Sequence, residues 1–378
     1  MQEILKASMK TLKILQINSG IGWSGSHHQI YLLSRGLSER GHEVTIVCEP
    51  ESHLMEKAQA VGLKTAPLRM RGQWDLKAVW QLRRYIKERQ IQIINTHKPL
   101  AHTLAVLAAR WTGLPVVATR RVSFPLRRHP FLKWKWDRAV AALIAVSRGT
   151  AESLIASGVS PKKVVTIYSA VDLDRFHPNV SGENIRREFG LSPDTPVVGQ
   201  VADLRPYKGY GVLIEAAAIV LKEMPNVHFF CVGRKSPEEY EGLARQIDRL
   251  GLAQRITFTG FRKDVEAFYA TMSVCVNCTT IGEGLPGSLR EALAMRVPVI
   301  GSDVSGNQEL AIPDRTGMLV PPKDPKALAE AILELLRDPA RRSKMGFEGR
   351  RFMEDEFSVQ TMVDRTESLY LSLVGNLT

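Results

Sequence analysis

Cysteine is scarce, with four in 378 residues. That is too few for a disulfide framework, and a reducing cytoplasm fits such a chain. Long apolar runs are missing too. The longest, Ala139 to Val146, falls well short of the roughly 20 residues that a spanning helix needs. No N-terminal apolar stretch with a cleavage site is visible, so the expected location is cytoplasmic. Hydrophobic residues make up 44% and charged residues 24%, which excludes a disordered chain, a collagen and a coiled coil. The length suits two or three domains, and we expect two.

Acidic charge is sparse in the first half. Residues 1–175 hold 27 Lys/Arg against 12 Asp/Glu, and the rest holds 24 against 27. Within 64–138 there are 17 basic and 3 acidic side chains. Such a field attracts a polyanion or an anionic surface, although a solvated basic face also accounts for it. In the stretch 125–136, Phe131, Leu132, Trp134 and Trp136 interleave with Arg127, Arg128, Lys133 and Lys135. Aromatic and basic side chains together suit peripheral contact with an anionic membrane. A core helix with charged neighbours would read the same way.

What is present is alternation. Met1 to Ser8 show no periodicity and read as an extension with little structure. A first strand ends at Asn18, a glycine cluster follows, and Ser26 to Arg40 has helical spacing with Gly41 as its stop. Short apolar runs at 43–48, 91–95, 116–119 and 143–146 alternate with helical stretches at 76–89 and 100–112. The polar segment Val171 to Gly182 reads as a connector, and alternation then restarts at Val197. The tail from Pro325 is helical. Strands alternating with helices imply parallel sheets, so the expected fold class is α/β, with two tandem Rossmann-like domains facing across a cleft. The expected domains are 1–175 with the last helix, 359–378, and 176–358.

Gly20-Ile-Gly-Trp-Ser-Gly25 is a G-x-G-x-x-G between a strand and a helix, where backbone N–H groups suit a phosphate. Glu49 stands where a ribose-binding acid of an NAD-type oxidoreductase would. Glycines at a strand-to-helix turn often serve only the turn, and this reading leaves the second half unexplained. There, Glu283 and Glu291 lie eight apart, with the Gly/Pro turn Leu285-Pro286-Gly287 between them and a helix at the end. Upstream, Arg205 and Lys208 follow a strand and can neutralise a diphosphate. Nothing offers an obvious metal site, so this positive pair would do the metal's work.

These residues resemble the family 4 retaining glycosyltransferases (glycosyl transferases group 1), which have the GT-B fold. The resemblance rests on Glu283-Gly-Leu-Pro with Glu291-Ala292, on Arg-Pro-Tyr-Lys-Gly209, on Thr259-Gly-Phe261 and on Gly317 to Pro321 with Asp324. It implies a metal-independent transfer of a sugar from a UDP-, GDP- or ADP-linked donor, with retention at the anomeric carbon and no cofactor. By that resemblance Glu291 holds the ribose, Arg205 and Lys208 the diphosphate, and Glu283 the donor sugar. Gly233, Arg234, Gly260 and Phe261 border the base, and Gly22 approaches the phosphate. The last helix is expected to cross back to the first domain. The acceptor would be an anionic glycolipid or a polysaccharide of the cell envelope, as in relatives tied to lipopolysaccharide.

Two departures stand out. Asp203 replaces an arginine common in relatives. Arg121, in Ala118-Thr-Arg-Arg-Val-Ser123, stands where many carry histidine; arginine does not act as a base but can bind an anionic group. His97, His102, Arg120 and Arg121 are the acceptor-side candidates. Cys275 and Cys278 form a lone C-x-x-C with no second pair to complete a zinc site, and read as strand residues. A basic nucleic-acid-binding protein is the other alternative. No recognisable RNA- or DNA-binding motif supports it, so nucleic acid is not expected as a partner.

Overall fold

A computed structural model describes residues 11–127 and 129–375. The extension expected at Met1 to Ser8 lies outside the described residues, as does Arg128. The chain forms two units: the residues up to Ala170 together with those from Val359 onward, and Val171–Ser358.

Unit 1 is built on seven strands: β1 (Lys13–Asn18), β2 (Glu43–Cys48), β3 (Lys64–Pro67), β4 (Ile93–Thr96), β5 (Val116–Arg120), β6 (Ala142–Ala145) and β7 (Val164–Thr166). Their order in the sheet is β3-β2-β1-β4-β5-β6-β7. All pairs are parallel, with Ile14 opposite both Val44 and Ile93. Helices cover both faces, so the strands are apolar along their length rather than alternating. Strand order reverses between β1 and β4, which opens a crevice at their carboxyl ends.

The helix Val359–Gly375 packs on the helix Gly25–Glu39. Close approach is set by Gly36, where a Cβ would stand 2.5 Å from Val363 Cγ2. Arg40 pairs with Asp364 and Glu367, and His42 Nε2 lies 2.7 Å from Glu367 Oε1.

The stretch 125–136 does not lie wholly at the surface. A short helix, Pro130–Lys133, runs into one π-type turn, Trp134–Arg138. Lys135 and Trp136 are buried by that turn. Lys135 Nζ donates to the Pro99 carbonyl at 2.8 Å and to Thr103 Oγ1 at 2.6 Å. Burial lowers its pKa to about 8. Of the interleaved aromatic and basic groups, Lys135 and Trp136 therefore belong to the core.

Unit 2 is built on β8 (Val197–Val201), β9 (His228–Val232), β10 (Ile256–Gly260), β11 (Val274–Asn277), β12 (Val299–Ser302) and β13 (Gly317–Val320), in the order β10-β9-β8-β11-β12-β13. Again every pair is parallel. Both expected Rossmann-like sheets are thus present. The reversal here falls between β8 and β11. All four cysteines are free and buried, Cys275 and Cys278 among them, and burial raises both thiols.

Candidate active site

In unit 2 the two loops that leave the switch point carry the sequence motifs. One runs from β8 through the 3-10 turn Pro206–Lys208 to the helix Tyr210–Glu223. The other runs from β11 to the helix Gly287–Ala294. Gln200, buried near the end of β8, clips them together. Its Nε2 donates to the Lys208 carbonyl and its Oε1 accepts from Cys278 N–H, both at 3.0 Å. Gly209 turns the first loop in the left-handed region, φ 70°, against the Cys278 carbonyl. Thr280 N–H closes the pair by donating to the Tyr207 carbonyl at 2.7 Å.

These contacts bring Lys208 and Glu283 together. Lys208 Nζ donates to Glu283 Oε1 at 2.6 Å, with both side chains mostly enclosed. Arg205 turns away. It is exposed and faces Glu239 at 3.4 Å, on the helix Pro237–Arg249. A flexible, exposed guanidinium beside a fixed ammonium can gather on a diphosphate once one is present.

Glu291 sits one turn into its helix. Its Oε1 lies 3.5 Å from where a Cβ on Gly287 would stand, so the carboxylate reaches back to the helix start. Tyr269 OH donates to Oε2 at 3.0 Å. Burial raises the Glu291 pKa, and the neighbouring Arg290 and Tyr269 only partly offset it. Arg290 is itself buried, which lowers its pKa to about 10. A desolvated carboxylate with one oxygen held is a strong acceptor for hydroxyl groups.

At the ends of β9 and β10, Gly233 N–H donates to the Gly260 carbonyl at 3.1 Å. Gly233 has φ 157°, and a Cβ there would meet the Ala202 carbonyl at 1.9 Å. Asp203 accepts from Arg234 N–H at 3.0 Å and faces its guanidinium at 3.5 Å. Arg234 lies 5.6 Å from the exposed Phe261 ring. Leu285 is partly exposed, while Pro286 is buried ahead of Gly287.

In unit 1 the Gly20–Gly25 loop leaves β1, and Gly22 is exposed with open space around it. Beside the loop, Asn18 Oδ1 is buried without a hydrogen-bond partner, and the buried His27 ring faces the Gly20 backbone. Burial and then the charge of Lys98 lower the His27 pKa. Glu49 accepts from Met70 N–H at 2.8 Å, so it serves the backbone rather than a ribose.

His97 is buried across the crevice. Its Nε2 donates to Gln16 Oε1 at 2.7 Å, while Nδ1 faces Arg121 Nη2 at 3.5 Å. Burial, with Arg121 beside it, holds its pKa well below the usual range, so the ring is neutral. Arg121 also donates to Ser169 Oγ at 3.0 Å, and Arg120 donates to the Phe124 carbonyl at 2.6 Å. His102 lies in the core, 4.5 Å from the Trp136 ring. Its nitrogens engage Thr96 Oγ1 and the Lys135 carbonyl, both at 3.0 Å. A substrate would have to displace both bonds to reach it, so the structure makes it a packing residue. Among the described residues, no three His, Cys, Asp or Glu side chains converge as a metal site would require.

Known proteins resemble this chain in sequence and fold. Residues 195–338 match the family described as Glycosyl transferases group 1, and residues 23–175 match Glycosyltransferase Family 4. The chain belongs to these glycosyltransferases. It is 28% identical over 311 residues to the putative glycosyltransferase EpsD of Bacillus subtilis (strain 168), covering 77% of this chain and 80% of that one. It is 26% identical over 315 residues to an Escherichia coli UDP-Gal:alpha-D-GlcNAc-diphosphoundecaprenol alpha-1,3-galactosyltransferase, covering 80% and 81%. The crystal structure of Anabaena HepE in complex with UDP superposes with a TM-score of 0.84 at 20% identity, over 96% of this chain and 100% of that one. The architecture is the GT-B fold of these glycosyltransferases.

Several residues that hold these motifs in place carry no motif signal. Tyr269 holds Glu291 from a helix that sequence marks only as apolar. Gln200 reads as one polar residue in a strand, yet it joins both loops. Asp203 supplies no cation, and its carboxylate instead fixes Arg234.

Proposed function

We propose that the protein transfers a glycosyl group from a nucleotide-diphosphate sugar, held on unit 2, to an envelope glycan or glycolipid acceptor, with retention at the anomeric carbon. The observation that carries this reading is the Lys208–Glu283 pair, whose Glu283 lies on the loop that leads into the helix of the half-buried Glu291 at the switch point of the second sheet. Glu291 accepts hydrogen bonds from the ribose hydroxyls. Lys208, with Arg205 swinging in, neutralises the diphosphate as it departs. Glu283 orients Lys208 and meets hydroxyls of the donor sugar. Gly233, Arg234, Gly260 and Phe261 border the base, and the Leu285-Pro286-Gly287 turn presents backbone N–H groups to the phosphates. Bond breaking builds negative charge on the leaving group and an oxocarbenium-like sugar, so stabilisation is electrostatic. No metal is invoked, because the two cations take that role.

Unit 1 receives the acceptor, with Arg120 and Arg121 as its anion-binding groups and the Gly22 loop as a phosphate-binding turn. The unpartnered Asn18 Oδ1 supports a polar ligand at that loop. The E. coli relative's name includes a diphosphoundecaprenol-linked acceptor, which supports a glycolipid class and work at the inner membrane face. Membrane contact through 125–136 then places the enzyme there; no described helix is long and apolar enough to span the bilayer.

A thermal-shift screen against UDP-, GDP- and ADP-sugars tests the donor, because a ligand of the folded state raises its melting temperature. Product NMR then reads the anomeric configuration, and chelator treatment reads the metal requirement. Inversion at the anomeric carbon, or activity lost to chelation, sinks the corresponding part of the proposal.

A further inference from the structure

Unit 1 carries a surface that the site chemistry does not use. Trp74, Trp80 and Trp111 are 66%, 60% and 82% exposed, so half of the six tryptophans face solvent. Large aromatics rarely stand so far out on a surface that stays in water.

Trp74 and Trp111 are also linked through other rings and one arginine. Trp74 lies 5.2 Å from Phe131, and Phe131 lies 5.7 Å from Trp134. Arg110 then bridges Trp134 and Trp111, at 5.8 and 4.4 Å. Arg83 reaches Trp111 at 5.9 Å and is pinned by its bonds to the Ala108 and Arg110 carbonyls. On the helix Leu76–Arg89, the buried Ala78, Leu82 and Ile86 turn the opposite stripe outward. That stripe is Leu76, Trp80, Arg83 and Lys87, at helical spacing, and Leu76 is 73% exposed.

Charge follows the same pattern. Residues 69–89 hold seven basic and two acidic side chains. Both carboxylates are engaged locally: Asp75 caps Ala78 N–H, and Glu88 takes Arg84. A hollow of about 710 Å³ opens beside Trp111, with Arg83, Lys87 and Arg110 on its rim.

We propose that this Trp/Arg surface is where the protein docks on an anionic lipid bilayer. Indoles and Leu76 enter the interface, while the arginines and lysines remain at the headgroup phosphates. Apolar insertion beside cations fits a bilayer better than a nucleic acid, for which an outward leucine does nothing. The inference deepens the membrane reading above and rests on it, but it moves the contact. Lys135 and Trp136 are enclosed, so the main anchors are Trp74, Trp80 and Trp111, with Phe131 and Trp134 linking them.

Vesicle co-sedimentation of the full chain tests it, using phosphatidylcholine with and without phosphatidylglycerol. Wild type should bind only the anionic vesicles and should release as salt rises. Trp80→Ala and Trp111→Ala should each lower partitioning about tenfold, from the loss of a buried indole. Lys87→Gln and Arg110→Gln should each lower it about fivefold. All four side chains are exposed, so melting temperatures should stay at the wild-type value. If wild type binds anionic vesicles but the tryptophan variants bind equally well, this surface is wrong while the membrane reading stands. If wild type ignores lipid charge, the membrane reading itself fails. Tryptophan-dependent binding to single-stranded oligonucleotides in place of vesicles would overturn the proposal in favour of nucleic acid.

Discussion

Lys208 and Glu283, 75 residues apart in sequence, meet at 2.6 Å where two loops leave the second sheet. In the proposed reaction an ammonium fixed this way stands ready for a departing diphosphate, and its orientation costs nothing further. Lys208→Met should therefore lower kcat/KM by about 10²–10³. Glu283→Gln should also lower it, and the double variant should lose little more than the worse single one, because the two act as a unit. Nucleoside diphosphate release measures all three. Losses that simply add would show that the pair is incidental.

Glu291 sets binding against stability. Burial raises its pKa, so the folded state holds the proton more tightly than the unfolded chain does. Its stabilising contribution is complete below the unfolded pKa and is lost as pH rises through the raised native one. Donor binding runs the other way, because only the carboxylate accepts ribose hydroxyls fully. Donor affinity should fall as pH drops through that same raised value. Glu291→Gln should flatten the pH dependence of the melting temperature across this window and be no less stable at neutral pH. It should also weaken donor binding about tenfold or more, as loss of a charged hydrogen bond does. Calorimetry at neutral pH reads the affinity. Unchanged donor affinity would remove Glu291 from the site.

Gly209 offers a backbone test. An alanine there needs φ near 70° and places its Cβ 1.9 Å from the Cys278 carbonyl. Gly190 has a similar φ, 63°, but open space around it. Gly190→Ala should cost about 1 kcal/mol from φ alone, while Gly209→Ala should cost at least about 2 kcal/mol and reduce turnover by displacing Lys208. Chemical denaturation with an activity assay separates them. Equal costs would mean that the loops do not need this contact.

The parallel sheets were legible because buried strands read as apolar runs, such as Lys13–Asn18 and Val197–Val201. The edge strands were harder. Lys64–Pro67 is only partly buried and ends in proline, and Val164–Thr166 has three half-buried residues. Neither gives an apolar run. The Lys208 and Glu283 motifs were visible as spacing, but their direct contact is tertiary. His102 looked like a cleft residue because it follows β4 in sequence, yet the helix Pro99–Ala109 turns it into the core. Tryptophans 74, 80 and 111 showed no pattern in sequence, because Trp111 lies on a segment distant in the chain from the one that carries Trp74 and Trp80.

The last helix gives the final prediction. Tyr370 OH accepts from Asn95 Nδ2 at 2.7 Å and from Gln16 Nε2 at 3.4 Å, deep in unit 1. Gln16 Oε1 accepts in turn from His97, and Asn95 Oδ1 accepts from Thr119. One hydroxyl on the C-terminal helix thus satisfies two buried amides from β1 and β4. Tyr370→Phe keeps the ring and its packing but strands both amide donors. It should destabilise the protein by about 2 kcal/mol, since a buried donor without an acceptor retains its full desolvation cost. Ser368→Ala, on the exposed side of the same helix, should stay within about 0.5 kcal/mol of wild type. Urea denaturation compares the two. If Tyr370→Phe unfolds at the wild-type midpoint, the amide network beneath the helix contributes nothing to its hold.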